Sequence, residues 1–281
     1  MLVITTNLQL NTFLNSLNKK ESLGLVPTMG ALHKGHLSLV EKAIRENQSV
    51  IVTIFVNPTQ FNKKEDLEKY PNTLEKDIAL LNSLSNQITV FAPSVKEVYN
   101  NNVVTKKYDF QGLDRVMEGK FRDDHFNGVG TIVELLFNLI KPDNAYFGEK
   151  DFQQLQIIKK LTQILDIPVS IIGCPIVREP HGLAMSSRNE RLSVKTRNEA
   201  SFIYETLKTA KEKFGTKSAL NVKDWVTKTF LEKDTFELEY IEISDIDTLK
   251  PIKRKQEGKK YRAFIAVYTE NVRLIDNIAL N

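Results

Sequence analysis

Two histidines three residues apart, His33 and His36, stand in the stretch MGALHKGH at 29–36, between a short apolar run and an amphipathic one. If the first run is a strand and the second a helix, both lie at a helix amino end, where free backbone N–H groups and the helix dipole favour phosphate. Gly30 and Gly35 permit close approach, and the three-residue step lets both imidazoles face one side and stabilise negative charge growing on a phosphate. The glycine spacing mimics a P-loop, but His36-Leu37 stands where that motif requires Lys and Ser or Thr, so the motif is rejected. The same residues also suit a plain turn with two surface histidines. A zinc site is poorly supported, because only His125, His181 and the single Cys174 remain as partners.

Three further segments hold polar groups, two where a strand should end and one beside the presumed domain junction. FVNPTQF at 55–61 presents the amides of Asn57 and Gln60, which donate to a carboxylate and accept from a hydroxyl without adding charge. That suits a small hydroxy acid, although Asn-Pro-Thr is also an ordinary turn. FGEKDFQQ at 147–154 gathers Lys150, Asp151, Gln153 and Gln154; Lys150 can neutralise phosphate and Asp151 can bind ribose hydroxyls, or the segment is a charged helix cap. REPHGLAMSSRN at 178–189 places two hydroxyls and an arginine together, as a mobile phosphate clamp or a polar linker. Gly128-Val129-Gly130 lacks the third glycine of a dinucleotide loop and reads as a helix start. The basic stretch at 249–262 reads as a solvated hairpin tip at Glu257-Gly258 rather than an RNA contact. His125 with Asp123 and Asp124 either lines a cleft or caps the following helix, and spacing does not decide between these.

The elements that must position these groups follow from periodicity. An apolar strand at 23–26 precedes a helix with Leu37, Val40, Ala43 and Ile44 on one face, and SVIVTIFV at 49–56 is apolar on both alternating sets, as in a parallel strand covered on both sides. A loop at 57–66, a helix at 72–84, a strand at 88–91, a helix at 129–140, a strand at 145–147, a helix at 152–165 and a strand at 169–172 complete the series. Such alternation predicts a doubly wound α/β sheet with ligands beyond the carboxyl ends of its strands. After Arg188 come helices at 193–214 and 220–232 and strands at 236–243 and 262–268, which predict a smaller α+β domain. Gly, Pro and polar residues at 175–188 mark the junction, giving domains 1–176 and 177–281.

Composition narrows the class. An apolar fraction of 41% and 26% charged residues over 281 positions describe an ordered globular chain. A net charge of +4 with no basic arm argues against nucleic acid, and a single cysteine rules out an intrachain disulfide. The start, MLVITTNLQL, lacks signal-peptide features, and no apolar run reaches the ~18–20 residues of a membrane span, so a cytoplasmic protein is expected.

Taken together, PTMGALHKGH, IFVNPTQF, FNLIKPDNAYFGEKDFQQL and REPHGLAMSSRN resemble the four signature blocks of the pantothenate synthetases, in that family's order and approximate spacing. The resemblance runs across essentially the whole chain and implies a Rossmann-like nucleotidyltransferase domain with a C-terminal lid, usually a homodimer, using ATP and Mg²⁺ to join pantoate and β-alanine. The HxGH element is similar to that of class I aminoacyl-tRNA synthetases. On this resemblance His36 matches the catalytic histidine, and Met29, Gly30, Ala31, Leu32, His33, Lys34, Gly35 and His36 match the ATP loop. Gln60 and Gln154 match pantoate-contacting amides, with Asn57 and Gln60 near the incoming β-alanine. Gly148, Glu149, Lys150 and Asp151 match a second ATP segment, Val177 a backbone contact to adenine, and Met185, Ser186, Ser187 and Arg188 a clamp around the phosphates. The expected catalytic group is His33, His36, Lys150, Ser186, Ser187 and Arg188. Two departures stand out: Arg-Asp-Asp-His-Phe at 122–126, where family members often carry Arg-Pro-Gly-His-Phe, and His181, where an acidic residue is common. Two other readings share these residues, a transferase that keeps AMP in its product and a nucleotide- or RNA-binding protein without turnover.

Overall fold

The computed structural model describes residues 1–18, 20–61, 67, 68, 70–100 and 102–281. In chain order the elements are β1 (Leu2–Ile4), α1 (Asn7–Ser16), β2 (Leu23–Thr28), α2 (Lys34–Glu46), β3 (Ser49–Ile54), α3 (Leu74–Leu84) and β4 (Ile88–Phe91). They continue with α4 (Val95–Tyr99), α5 (Glu118–Phe121), α6 (His125–Ile140), β5 (Asn144–Gly148), α7 (Phe152–Ile164) and β6 (Ser170–Cys174). The C-terminal part holds α8 (Val194–Glu199), α9 (Ser201–Thr216), α10 (Ala219–Leu231), β7 (Glu237–Asp245), β8 (Tyr261–Thr269) and β9 (Val272–Ala279). Of the loop expected at 57–66, residues 62–66 lie outside the described residues.

Six strands form one parallel sheet in the order β1-β4-β3-β2-β5-β6. Leu25 and Ile51 face one buried cluster with α6 and α7, while Val26, Val50 and Val52 face another with α2 and α3. Helices on both faces therefore explain why the strands read as unbroken apolar runs. Chain direction across the sheet reverses between β2, which leads to β3, and β5, which leads to β6, so the loops after β2 and β5 open a crevice at the carboxyl edge.

Helix α6 starts at His125, earlier than the expected 129, because its first turn is buried rather than solvated. Gly128 is thus inside the helix, and its role is packing: a Cβ there would lie 2.2 Å from the Thr59 carbonyl oxygen. The smaller sheet is antiparallel, β7-β8-β9, with α9 and α10 packed on one face through Ile203, Leu207, Val222, Val226, Ile265 and Val267. From its other face Phe264 joins the core of the parallel sheet, so the two parts share a packed boundary. The expected helix at 193–214 is divided at Ala200, and a third strand, β9, completes the sheet. Gly258 does sit in a turn, at φ 73°, but within a long connection between β7 and β8 rather than a tight hairpin.

Candidate active site

The crevice at the carboxyl ends of β2, β3 and β5 is a cavity of about 270 Å³. Its walls bring together Met29, His33, Gly35, His36, Asn57, Gln60, Gly148, Lys150, Asp151, Gln154, Val177, Met185, Ser186, Ser187 and Arg188. Gly30, Ala31, Leu32 and Lys34 form the back of their loop instead of the wall, and Glu149 faces a second groove behind it.

The loop after β2 is held from within. Gly30 adopts φ 80° and Ala31 φ 51°, and the N–H groups of Ala31 and Leu32 donate to the two carboxylate oxygens of buried Asp77, from α3, at 3.0 and 2.8 Å. The Gly30 N–H donates to Thr28 Oγ1 at 3.2 Å. These amides, expected to be free for phosphate, are already paired, and the loop presents its imidazoles instead. Each ring accepts at Nδ1 from a backbone N–H: His33 from Gly35 at 3.1 Å and His36 from His33 at 3.3 Å. A neutral ring that accepts at Nδ1 carries its proton at Nε2. Burial, then nearby Lys150, lowers the His33 pKa to about 4. Burial, then His33 and Lys150, lowers that of His36 to about 3. Both rings, with centroids 4.1 Å apart, are therefore neutral Nε2–H donors at neutral pH.

The opposite wall is made of amides fixed by the protein. Asn57 is 1% exposed. Its Nδ2 donates to Gln60 Oε1 at 3.0 Å and to the Gly128 carbonyl at 3.2 Å. Its Oδ1 accepts from Thr59 at 3.0 Å and from Tyr99 at 2.5 Å. Asn57 thus has protein partners on both its oxygen and its nitrogen and orients Gln60, while it also lines the cavity. Gln60 donates once to Met29 Sδ at 2.9 Å, which leaves one N–H and one lone pair for a ligand. The Gln60 carbonyl accepts from His125 Nδ1 at 3.0 Å, so the His125 proton is at Nδ1 and its Nε2 is an acceptor. Burial, then Arg122, lowers the His125 pKa to about 4. His125 thus lines the cleft and does not cap its helix. The adjacent amides of α7 both line the cavity, but Gln153 is buried and bonds Glu118 N–H and the Leu113 and Val116 carbonyls.

The second polar segment is anchored by the C-terminal strands. Asn277 Nδ2 donates to the carbonyls of Glu149 and Lys150, each at 2.9 Å, and the Glu149 carboxylate pairs with Arg262 at 3.0 Å. The 186–188 loop is tied down by buried Asn189, whose Nδ2 donates to Glu179 at 2.7 Å, while Arg197 Nε reaches the same carboxylate at 2.8 Å. Upstream, Arg178 forms a bidentate pair with buried Asp276 at 2.6 and 2.9 Å and stacks on Tyr204. Asp77, Tyr99, Gly128, Asp276 and Asn277 were not singled out for these roles from sequence, because each acts through a partner distant in the chain. His181 lies 3.8 Å from Glu179, and Asp124 bonds Lys107 and Asn127; neither side chain lines the cavity, although Arg122, His125 and Phe126 beside Asp124 do.

Fold and crevice define a doubly wound α/β protein whose ligand cleft lies at the switch point of the sheet and is closed by a smaller antiparallel domain. The family model for pantoate-beta-alanine ligase matches residues 2–279. The chain belongs to the pantoate–β-alanine ligase family. A pantothenate synthetase from Christiangramia forsetii is 58% identical over 261 residues, 93% of this chain and 92% of that one. The crystal structure of a pantothenate synthetase from Thermus thermophilus superposes with a TM-score of 0.92 at 40% identity, covering 100% of this chain and 99% of that chain. A pantoate-beta-alanine ligase from Francisella tularensis, solved with beta-gamma ATP and β-alanine, superposes with a TM-score of 0.81 at 39% identity, covering 100% and 98%.

Proposed function

We propose that this chain condenses pantoate with β-alanine, converting ATP to AMP and pyrophosphate through a pantoyl-adenylate. The pantoate carboxylate attacks the α-phosphorus, pyrophosphate leaves, and the β-alanine amine then attacks the acyl carbon and expels AMP. The observation that carries this reading is the pairing, across one cleft, of two neutral imidazole donors with a wall of fixed amides. His33 and His36 donate through Nε2 to oxygens that gain charge in the transition state, and Lys150, Ser186, Ser187 and Arg188 share that charge. Neutral donors suit this task because they need no counter-ion before ATP arrives. Gln60 and Gln154 hold the hydroxy acid, Val177 meets adenine along its backbone, and Asp151 takes the ribose.

Mg²⁺ belongs to this reading as a companion of the triphosphate. Among the described residues no group of three or more His, Cys, Asp or Glu could hold a metal ion, so a protein cage does not fit, whereas phosphates and water are the usual partners of this ion. The homodimer, the cytoplasmic location and a domain division at 176/177 are further parts of the proposal. No helix among the described residues is long and apolar enough to cross a membrane.

The test measures pyrophosphate and AMP with purified protein, ATP, Mg²⁺, pantoate and β-alanine, leaving out each in turn. Steady turnover is expected only with all of them, and a pantoyl-adenylate should remain bound when β-alanine is absent. AMP retained in the product, or binding of ATP without turnover, would contradict the reading.

A further inference from the structure

Resting on the ligase reading, we propose that Arg122 recognises the carboxylate of the amino-acid acceptor and so determines which amine is used. β-Alanine carries a carboxylate that takes no part in bond formation, and once its ammonium loses a proton for attack, that charge remains in a cleft already holding phosphates. Burying it unpaired is costly, so a cation must meet it. Among the cleft-lining residues the cations are Lys150, Arg188 and Arg122. Lys150 and Arg188 belong to the two phosphate segments. Arg122, close enough to feel the charges of Arg188 and Asp151, stands three residues before His125, whose ring bonds the Gln60 carbonyl.

Its surroundings leave Arg122 available. The Glu118 carboxylate pairs with it at 3.8 Å, but both carboxylate oxygens are engaged by others. Arg273 donates to them at 2.7 and 2.8 Å and Tyr240 donates to Oε1 at 2.9 Å. Arg273 in turn also binds Glu239, at 2.5 Å. Arg122 thus keeps a loose ion pair with Glu118, under the added repulsion of Arg188 and Arg273, and its planar fork has no hydrogen-bond partner among the described residues. The Arg122 side chain is 31% exposed, and the cleft is what it faces. A guanidinium poised this way offers two parallel N–H donors to a carboxylate. Tyr240 and Arg273 come from β7 and β9, so this subsite is completed by the C-terminal sheet.

A carboxylate and a departing pyrophosphate could both occupy such a fork, and the experiment separates them. With ATP and saturating pantoate, kcat/KM is measured for β-alanine and for 3-aminopropan-1-ol, which has the amine and chain length but no carboxylate. In Arg122→Gln the β-alanine to 3-aminopropan-1-ol ratio should fall about 10–100-fold, the worth of a charged hydrogen-bond pair, with partial recovery in Arg122→Lys. The pyrophosphate burst with pantoate alone should fall far less than that ratio. Parallel loss with both acceptors, or a loss concentrated in the burst and in the KM for ATP, would overturn the proposal in favour of a structural or pyrophosphate role. Absence of any burst in the wild type would remove the ligase reading itself, whatever the variants do.

Discussion

The two walls of the cleft are built differently. The imidazole wall is mostly local: His33 and His36 take their hydrogen bonds from N–H groups within three residues, while Asp77 and Gln60 reach the loop from elsewhere. The amide wall is assembled across the chain, with Gln60 held by Asn57, Asn57 held by Tyr99 and the Gly128 carbonyl, and the Gln60 carbonyl held by His125. A phosphate site can be carried by a short motif because any nucleotide presents the same charges. A site for one small hydroxy acid needs fixed, uncharged donors, and fixing them takes buried long-range bonds.

Breaking the local wall should give the largest effect. His36→Ala should lower kcat by about 10²–10³-fold, as for loss of one transition-state donor, with a much smaller change in the KM for ATP. Near-normal turnover in steady-state assays would remove His36 from that role. On the assembled wall the comparison predicts damage at a distance. Gly128→Ala drives a methyl into the Thr59 carbonyl, so the turn bearing Gln60 must move. Overpacking there should cost about 1–3 kcal/mol of stability by urea denaturation. A displacement near 1 Å should cut turnover about 10²-fold, mainly through pantoate. A variant with wild-type KM for pantoate would show that this close approach is dispensable.

Both walls also share a pH dependence. His33 and His125 titrate near pH 4 and His36 near pH 3 when folded, against 6.5 for an unperturbed histidine. The unfolded chain therefore binds more protons between pH 6.5 and these values, so the stabilisation is complete above pH 6.5 and is lost as pH falls through that window toward 3–4. The urea midpoint of the nucleotide-free protein should drop from pH 7.5 to pH 5, and less so in His36→Ala. A midpoint that does not fall over this range would mean that the rings are charged in the folded state.

What the sequence made legible follows the same division. The doubly wound sheet could be read because β2 and β3 carry apolar residues on both faces, and the motifs could be placed because they sit at strand ends. Strand β9 was missed because its interior holds Asp276 and Asn277, polar residues that break a strand signature. They are there to grip Arg178 and the carbonyls of Glu149 and Lys150. Gly128 read as a helix start because a close approach to Thr59 leaves no trace in local pattern. Asp77 is equally silent: an acid in a first helical turn reads as a partner of the helix dipole, not as the anchor of a loop 45 residues earlier.

Adenylation of pantoate is the central claim, and isotope transfer tests it most directly. With pantoate labelled with ¹⁸O in its carboxylate, plus ATP, Mg²⁺ and β-alanine, one labelled oxygen should appear in the phosphate of AMP, because the acyl C–O bond breaks when the amine attacks. Label found in inorganic phosphate, or AMP formed without label, would contradict the account.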